Sequence, residues 1–410
     1  MNPESGATAS ADLVAARSAS IFEIFTTALK LGCTSFGGPI AHLGYFRETY
    51  VRRLQWLDEA AYADLVALAQ FLPGPASSQV GIGVGSLRAG PIGGLAAWLG
   101  FTLPSAIGMT AFALILDRYD VSNAGWIHGL KIVAVAVVAQ AVWGMGRRFC
   151  TGIRRLVIAV AALVILLIAT NAAIQIAVIV AAGLFGWRFL ADSVVPAATA
   201  PHPQPVSRRA GITALVLFGA LLLLLPLLGR DSNGAPGLIN VFYRAGSLVF
   251  GGGHAVLPLL QRDVVPNHWV TNAQFLSGYG AAQAMPGPLF TFAAFLGAER
   301  APGPNGVAGA ALATGSIFLP SFLLIYGALP FWHALRGSHQ FRSALAGINA
   351  SVVGILAAAL YSPVWTGSID HVADALLAGL CLVLLMYWKR PSWQVVIAGA
   401  LGGQLLAWFT

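Results

Sequence analysis

Long apolar runs with almost no charge recur along this chain, and they decide the solvent in which it can fold. Leu156–Ile168 is followed at once by Ala172–Phe185, and Ile212–Leu228, Ala344–Leu360 and Ala373–Tyr387 have the same character. A helix needs about 20 predominantly apolar residues to cross a hydrocarbon core about 30 Å thick. A soluble domain carries about 25% charged residues to face water, whereas this chain of 410 residues has 9%. A very apolar soluble helical protein is thereby disfavoured. The expected fold is an all-α polytopic membrane protein with roughly ten to thirteen membrane segments, some of them half-helices.

Other features narrow the class further. Cys33, Cys150 and Cys381 lie far apart without metal-ligand spacing, so neither a zinc site nor a disulfide framework is expected. Met1–Asp12 has no basic stretch and no short apolar core, unlike a cleavable signal peptide. The formal charge of +8 does not point to nucleic acid, because the basic residues fall between apolar runs, where they set orientation. Membrane lipid is the expected surrounding, in a multi-pass arrangement in a bacterial inner membrane, and a homodimer is compatible with it.

The chain also repeats itself. Phe36-Gly37-Gly38 returns as Phe250-Gly251-Gly252, Trp56 as Trp269, and Gln70-Phe71-Leu72-Pro73-Gly74-Pro75 as Gln283-Ala284-Met285-Pro286-Gly287-Pro288. Leu103-Pro104-Ser105 returns as Leu319-Pro320-Ser321, and Gly129 matches Gly347, all in order and at offsets of 213 to 218. Two related halves follow, 1–195 and 212–410, joined by a proline-rich cytoplasmic linker at 196–211. If the two motif segments of each half are hairpins that return to the side they entered, sixteen basic residues fall on one face. Only Arg118, Arg230, Arg262 and Arg300 fall on the other. The positive-inside rule makes the richer face cytoplasmic. The extra span Ile212–Leu228 then sends the second half in from the opposite side, as an inverted repeat.

Glycine and proline interrupt apolar segments at matching places in both halves, which is the best sequence-level pointer to a transporter's binding site. Every N–H and C=O must be satisfied within lipid, so a broken helix survives only where it lines protein or water. The break exposes half-helix N-termini, whose unpaired N–H groups and partial positive charge suit an oxyanion. Gly37, Gly38, Gly251 and Gly252 let the backbone come close to a ligand, beside Phe36 and Phe250. Pro73-Gly74-Pro75 and Pro286-Gly287-Pro288 stop one half-helix and can open the next. Kinks and tight helix packing would use the same residues. Their duplication as two motifs in both halves favours the substrate path.

Basic residues inside apolar runs are costly, by roughly 2.5–3.5 kcal/mol on insertion scales, and mark function by default. Lys30 lies six residues before Phe36, and Arg244 six before Phe250. Lys131 is matched by Asn349. Lys30 and Arg244 can alternatively snorkel to a nearby interface. Gln70 and Gln283 offer neutral donors beside each Pro-Gly-Pro. Asp64 is the candidate carboxylate for ion coupling, with a helix-start acid as the plain alternative. The histidines show no repeated spacing, so no metal site is expected. No nucleophile–base pairing or phosphate loop appears, so no enzyme activity and no cofactor are expected.

Ser35-Phe36-Gly37-Gly38-Pro39 followed by Gln70–Pro75, repeated as Phe250–Gly253 and Gln283–Pro288, resembles the chromate ion transporter (CHR) family. The likeness spans both halves and the linker, as in that family's long, two-domain members. It implies efflux of a small inorganic oxyanion, chromate, giving chromate resistance, with sulfate as the related or competing anion. The residues alone reach a small anion. An anion channel, or a permease for sulfate or another oxyanion, would use the same features.

Overall fold

The computed structural model describes residues 19–119, 124–169, 172–190, 206–229, 234–250, 252–332 and 338–409. Gly251, Arg230 and residues 196–205 of the expected linker lie outside them. Regular structure is helical, with no strand among the described residues. The first half comprises α1 (Ile21–Thr34), α2 (Gly38–Phe46), α3 (Glu59–Phe71), α4 (Ala76–Tyr119), α5 (Gly125–Phe149), α6 (Ile153–Ile168) and α7 (Ala172–Phe189). A single helix, α8 (Arg208–Leu228), leads into the second half. That half comprises α9 (Ala235–Leu248), α10 (Val256–Val264), α11 (Asn272–Ala282), α12 (Phe292–Glu299), α13 (Gly306–Ala328), α14 (His339–Ala359), α15 (Val372–Met386) and α16 (Ser392–Phe409). Five of the described helical stretches are long and apolar enough to cross a membrane, within α4, α5, α8 and the extended α13 and α14. The chain is thus a multi-pass membrane protein whose remaining apolar segments are short. Ser207 caps α8 by accepting from the Ala210 N–H, so this helix starts inside the segment read as linker.

The short helices of the first half form hairpins, and their contacts give the register. Helix α4 breaks at Ala89 and Gly90, where Gly90 takes φ +65°, a left-handed conformation that glycine adopts readily. Its arm 76–88 folds back along 91–119, with Gly85 against Gly93. Helix α3 runs antiparallel to the same arm: Leu65 packs on Gly83, and Arg88 Nη1 donates to the Trp56 carbonyl at 3.3 Å. Pro73-Gly74-Pro75 is therefore the tip of a re-entrant hairpin. Helix α1 runs parallel to 91–119, from Phe22 beside Ile92 to Gly32 beside Phe101. Helix α2 then returns to the side where α1 began. Phe46 lies edge-on to Phe101 at 5.0 Å, and Tyr50, in the π-helical turn Arg47–Arg53, stacks on Trp56 at 5.4 Å. The Phe-Gly-Gly break is the second hairpin tip.

The second half repeats this construction. Gly246 packs on Ile317 as Gly32 does on Phe101, and Gly297 on Gly309 as Gly85 does on Gly93. The clasp between Arg88 and Trp56 returns as Arg300, whose guanidinium lies 4.1 Å above the Trp269 ring. Segment 91–119 and its counterpart α13 cross antiparallel. Tyr326 Oη donates to the Pro91 carbonyl at 3.1 Å, while Trp98 packs on Phe318 and Phe322.

The halves also exchange their last helices. Gly129 of α5 packs against Gly399 and Gly403 of α16, and Gly347 of α14 against Ala182 and Gly186 of α7. These are matching positions, so each long helix receives the terminal hairpin of the other half. Lipid supplies no hydrophobic drive between helices. Close backbone approach over small residues, and the dispersion contacts it gives, is what holds such interfaces. A Cβ at Gly129 would meet the Gly399 backbone, and one at Gly347 the Ala182 carbonyl. Gly129→Ala and Gly347→Ala should each lower stability by about 1–3 kcal/mol, read as a reduced unfolding midpoint in detergent. Gly219→Ala, where an added Cβ meets nothing within 4 Å, should leave the midpoint unchanged or raise it.

Candidate functional site: the crossing of four broken helices

The duplicated motifs break their helices for local backbone reasons. Helix α1 stops at Ser35, which is extended, and Gly37 and Gly38 take φ +98° and +76° before Pro39 enters the first turn of α2. Helix α3 stops at the extended Leu72, and Gly74 takes φ +116° before Pro75. In the second half, Gly252 and Gly287 have φ +135° and +91°.

The four breaks meet one another across the halves. The Gly74 N–H donates to the Val249 carbonyl at 2.7 Å, and the Gly287 N–H donates to the Ser35 carbonyl at 2.9 Å. Ser35 and Val249 are matching positions, as are Gly74 and Gly287. Each Pro-Gly-Pro tip therefore pairs with the Phe-Gly-Gly break of the other half. Pro39 and Gly253, also a matching pair, approach where the pseudo-twofold axis passes: a Cβ on Gly253 would lie 3.9 Å from Pro39 Cγ. A Cβ on Gly74 would lie 2.9 Å from Ser321 Oγ, and one on Gly287 3.0 Å from Ser105 Oγ. The third duplicated motif, Leu-Pro-Ser, thus backs each tip. Ser35 Oγ, Ser78 Oγ, Gln79 Oε1 and Ser321 Oγ are buried there without a hydrogen-bond partner among the described residues. Such orphaned groups call for an explanation, most simply an ordered water or ion.

A cavity of about 80 Å³ opens beside this crossing, between the N-terminus of α2 and the second Pro-Gly-Pro tip. Its polar lining comes from Gly37, Gly38, Gln140, His254, Gln283 and Ser392. The α2 terminus contributes N–H groups and the positive end of a helix dipole. No carboxylate, lysine or arginine is among the lining residues. Its size suits one small ion that has shed most of its water, since a water occupies about 30 Å³ of liquid.

Of the residues expected from sequence, Gly37, Gly38, Gln283 and Gly287 come together at this cavity. Pro73, Gly74 and Pro75 form one hairpin tip, and Pro286 and Pro288 flank the other. Phe36 is half-buried with its ring 6.4 Å from Trp393, and Phe250 and Gly252 are half-buried at the second break. Gln70 is exposed, and its Oε1 accepts from Arg148 Nη2 at 2.8 Å, so the matching glutamines have different surroundings. Lys30 is exposed, on a stripe of α1 with Cys33 and Thr34. Arg244 is held by both oxygens of Asp263 at 2.6 Å. Lys131 is half-buried on α5, and its nine-residue separation from Gln140 puts it on the opposite side of the helix. Asp64 is half-buried on α3 and does not line the cavity.

Sequence reading missed Gln140 and Ser392, and it considered His254 only as a metal ligand. None is matched in kind by the other half, so the duplication could not single them out. The contact of Arg148 with Gln70 spans 78 positions and has no counterpart in the sequence pattern. His128, Asp370 and Asp374 place ligand atoms within 4.8 Å of one another. The Asp374 carboxylate accepts from His128 and from the N–H groups of Asp370 and His371, and so caps α15 away from the cavity.

Comparison with known proteins gives a consistent result. The profile of the family described as Chromate transporter matches residues 22–187 and 237–404. A chromate transport protein of Pseudomonas aeruginosa is 27% identical over 398 residues, covering 94% of this chain and 92% of that protein. One from Cupriavidus metallidurans is 26% identical over 384 residues, covering 91% and 89%. An uncharacterized transporter of Methanocaldococcus jannaschii is 27% identical over 390 residues, covering 94% of each. No solved structure matches significantly.

The Arg244–Asp263 pair is mostly buried, with side chains 24% and 13% exposed. Removing one partner leaves an uncompensated charge, at a cost of about 3–5 kcal/mol, whereas replacing both with apolar residues is close to neutral. Arg244→Met and Asp263→Leu alone should therefore lower the unfolding midpoint in detergent, and the double substitution should recover most of the loss.

Proposed function

Because this chain belongs to the chromate transporter family, we propose that it exports chromate across the cytoplasmic membrane by secondary active transport, with the anion bound at the crossing of the four broken helices. The observation that carries this reading is the cavity's lining of N–H, amide and hydroxyl donors without a carboxylate. A tetrahedral dianion spreads its charge over four oxygens, and convergent neutral donors and a helix N-terminus can serve several of them together. Sulfate has the same shape and charge, so it competes, and only cavity size and donor placement separate the two. The relatives described as chromate transport proteins favour chromate.

The direction of the halves supports alternating access. The face on which α1, α2 and α3 enter and return carries Arg52, Arg53 and Arg88, and reads as cytoplasmic. The second half's hairpins then enter from outside, which makes 1–195 and 212–410 inverted repeats about the cavity. Rocking of one half against the other would expose the cavity to each side in turn. Lys30 and Thr34 are exposed on the last turns of α1, which ends just before the cavity's Gly37.

Inside-out vesicles containing the protein should accumulate chromate above control vesicles when energised, and excess sulfate should slow the uptake. Gln283→Leu should reduce the rate about 5- to 150-fold, the loss of one hydrogen bond worth about 1–3 kcal/mol. Uptake no greater than in control vesicles would contradict the proposal.

A further inference from the structure

We propose that His254 is the proton-carrying group of this site, so that the oxyanion and a proton on its imidazole bind together. The inference rests on the reading of the cavity as the anion site. A dianion in that cavity meets only neutral lining residues, and a helix N-terminus supplies an effective charge of only about +0.5. An ion held at membrane depth without full compensation is strongly disfavoured. Among the polar lining residues, His254 is the one whose side chain can bind a proton and become a cation.

The geometry suits that role. His254 Nδ1 lies 2.7 Å from Tyr279 Oη, and the two rings meet edge-on at 6.4 Å. Tyr279 is fully buried, so this contact fixes the ring. Nε2 has no hydrogen-bond partner among the described residues. In the imidazolium both ring nitrogens donate, so Nδ1–H serves Tyr279 Oη while Nε2–H is available to an anion oxygen. The proton is taken from water onto the ring lone pair, and no bond or oxidation state in the anion changes. The matching residue of the first half is Ile40, so the site holds one such group and carries one proton per anion.

Among the described residues, no charged neighbour competes for the role. Tyr279 is the titratable group facing His254 from α11. On α2, His42 is turned to Ser77, with Nδ1 3.3 Å from its hydroxyl, and to Phe101. On α5, Lys131 faces the other side of the helix. Helix α14 carries its ionisable residues, His339 and Arg342, in its first turn, and Ser392 begins α16. On its own segment, Asp263 is engaged with Arg244, and Arg262 lies beside it near the far end of α10.

Chromate binding to the full-length protein in lipid nanodiscs tests this, by calorimetry in buffers of different ionisation enthalpy at an alkaline pH where chromate is already the dianion. Wild type should take up about one proton per bound chromate. His254→Gln should take up almost none and bind at least 10-fold more weakly. His254→Lys, which supplies a fixed cation, should bind without proton uptake and with affinity flat across neutral pH. Binding by wild type without proton uptake, or equal uptake in His254→Gln or His254→Lys, overturns the assignment of His254 alone. Failure of wild type to bind chromate overturns the functional reading and this inference with it.

Discussion

Two backbone hydrogen bonds, from the Gly74 N–H to the Val249 carbonyl and from the Gly287 N–H to the Ser35 carbonyl, hold the centre of this protein together. Each satisfies a polar group that a broken helix leaves open, and it does so across the boundary between halves. Within lipid such groups must be paired or wetted, so neither half's hairpins would be tolerated at depth without the other's. The close approach requires glycine at both tips and small residues behind them, which Ser105 and Ser321 provide. The exchange of terminal helices over Gly129 and Gly347 locks the same arrangement from the periphery.

Much of this was legible in the sequence because glycine and proline act on the backbone locally. The hairpin tips at Phe36–Pro39 and Pro73–Pro75, the duplication and the membrane environment could all be read from residue type and spacing. Which tip meets which could not, because the contacting residues are 175 and 252 positions apart and involve main-chain atoms. The charges were legible only as residue types. Lys30 and Arg244 occupy matching positions, yet Arg244 is neutralised by Asp263, while Glu48, on α1's side of the molecule, pairs with Arg52 at 3.4 Å. Side-chain direction, which separates Lys131 from the cavity face of α5, depends on a helical phase that only the folded chain fixes.

The resulting site differs from one built on paired cations. Neutral donors and a helix terminus face the cavity, and the fixed charges sit elsewhere, at Lys30 on the exposed stripe and Arg148 beside Gln70. That division suits transport. Fixed charges at an entrance attract an anion over a distance, whereas a binding site must release what it holds. The asymmetry between halves lies in residues the duplication does not share. His254, Gln140 and Ser392 face a cavity on one side of the pseudo-twofold axis, while the backbone frame around them remains nearly symmetric.

Chromium scatters anomalously, so diffraction from crystals grown with chromate would locate the anion without reference to any assumed mechanism. A chromium peak is expected in the cavity between Gly37-Gly38 and Gln283. A peak at Lys30 or Lys131, with the cavity empty at saturating chromate, would contradict that placement.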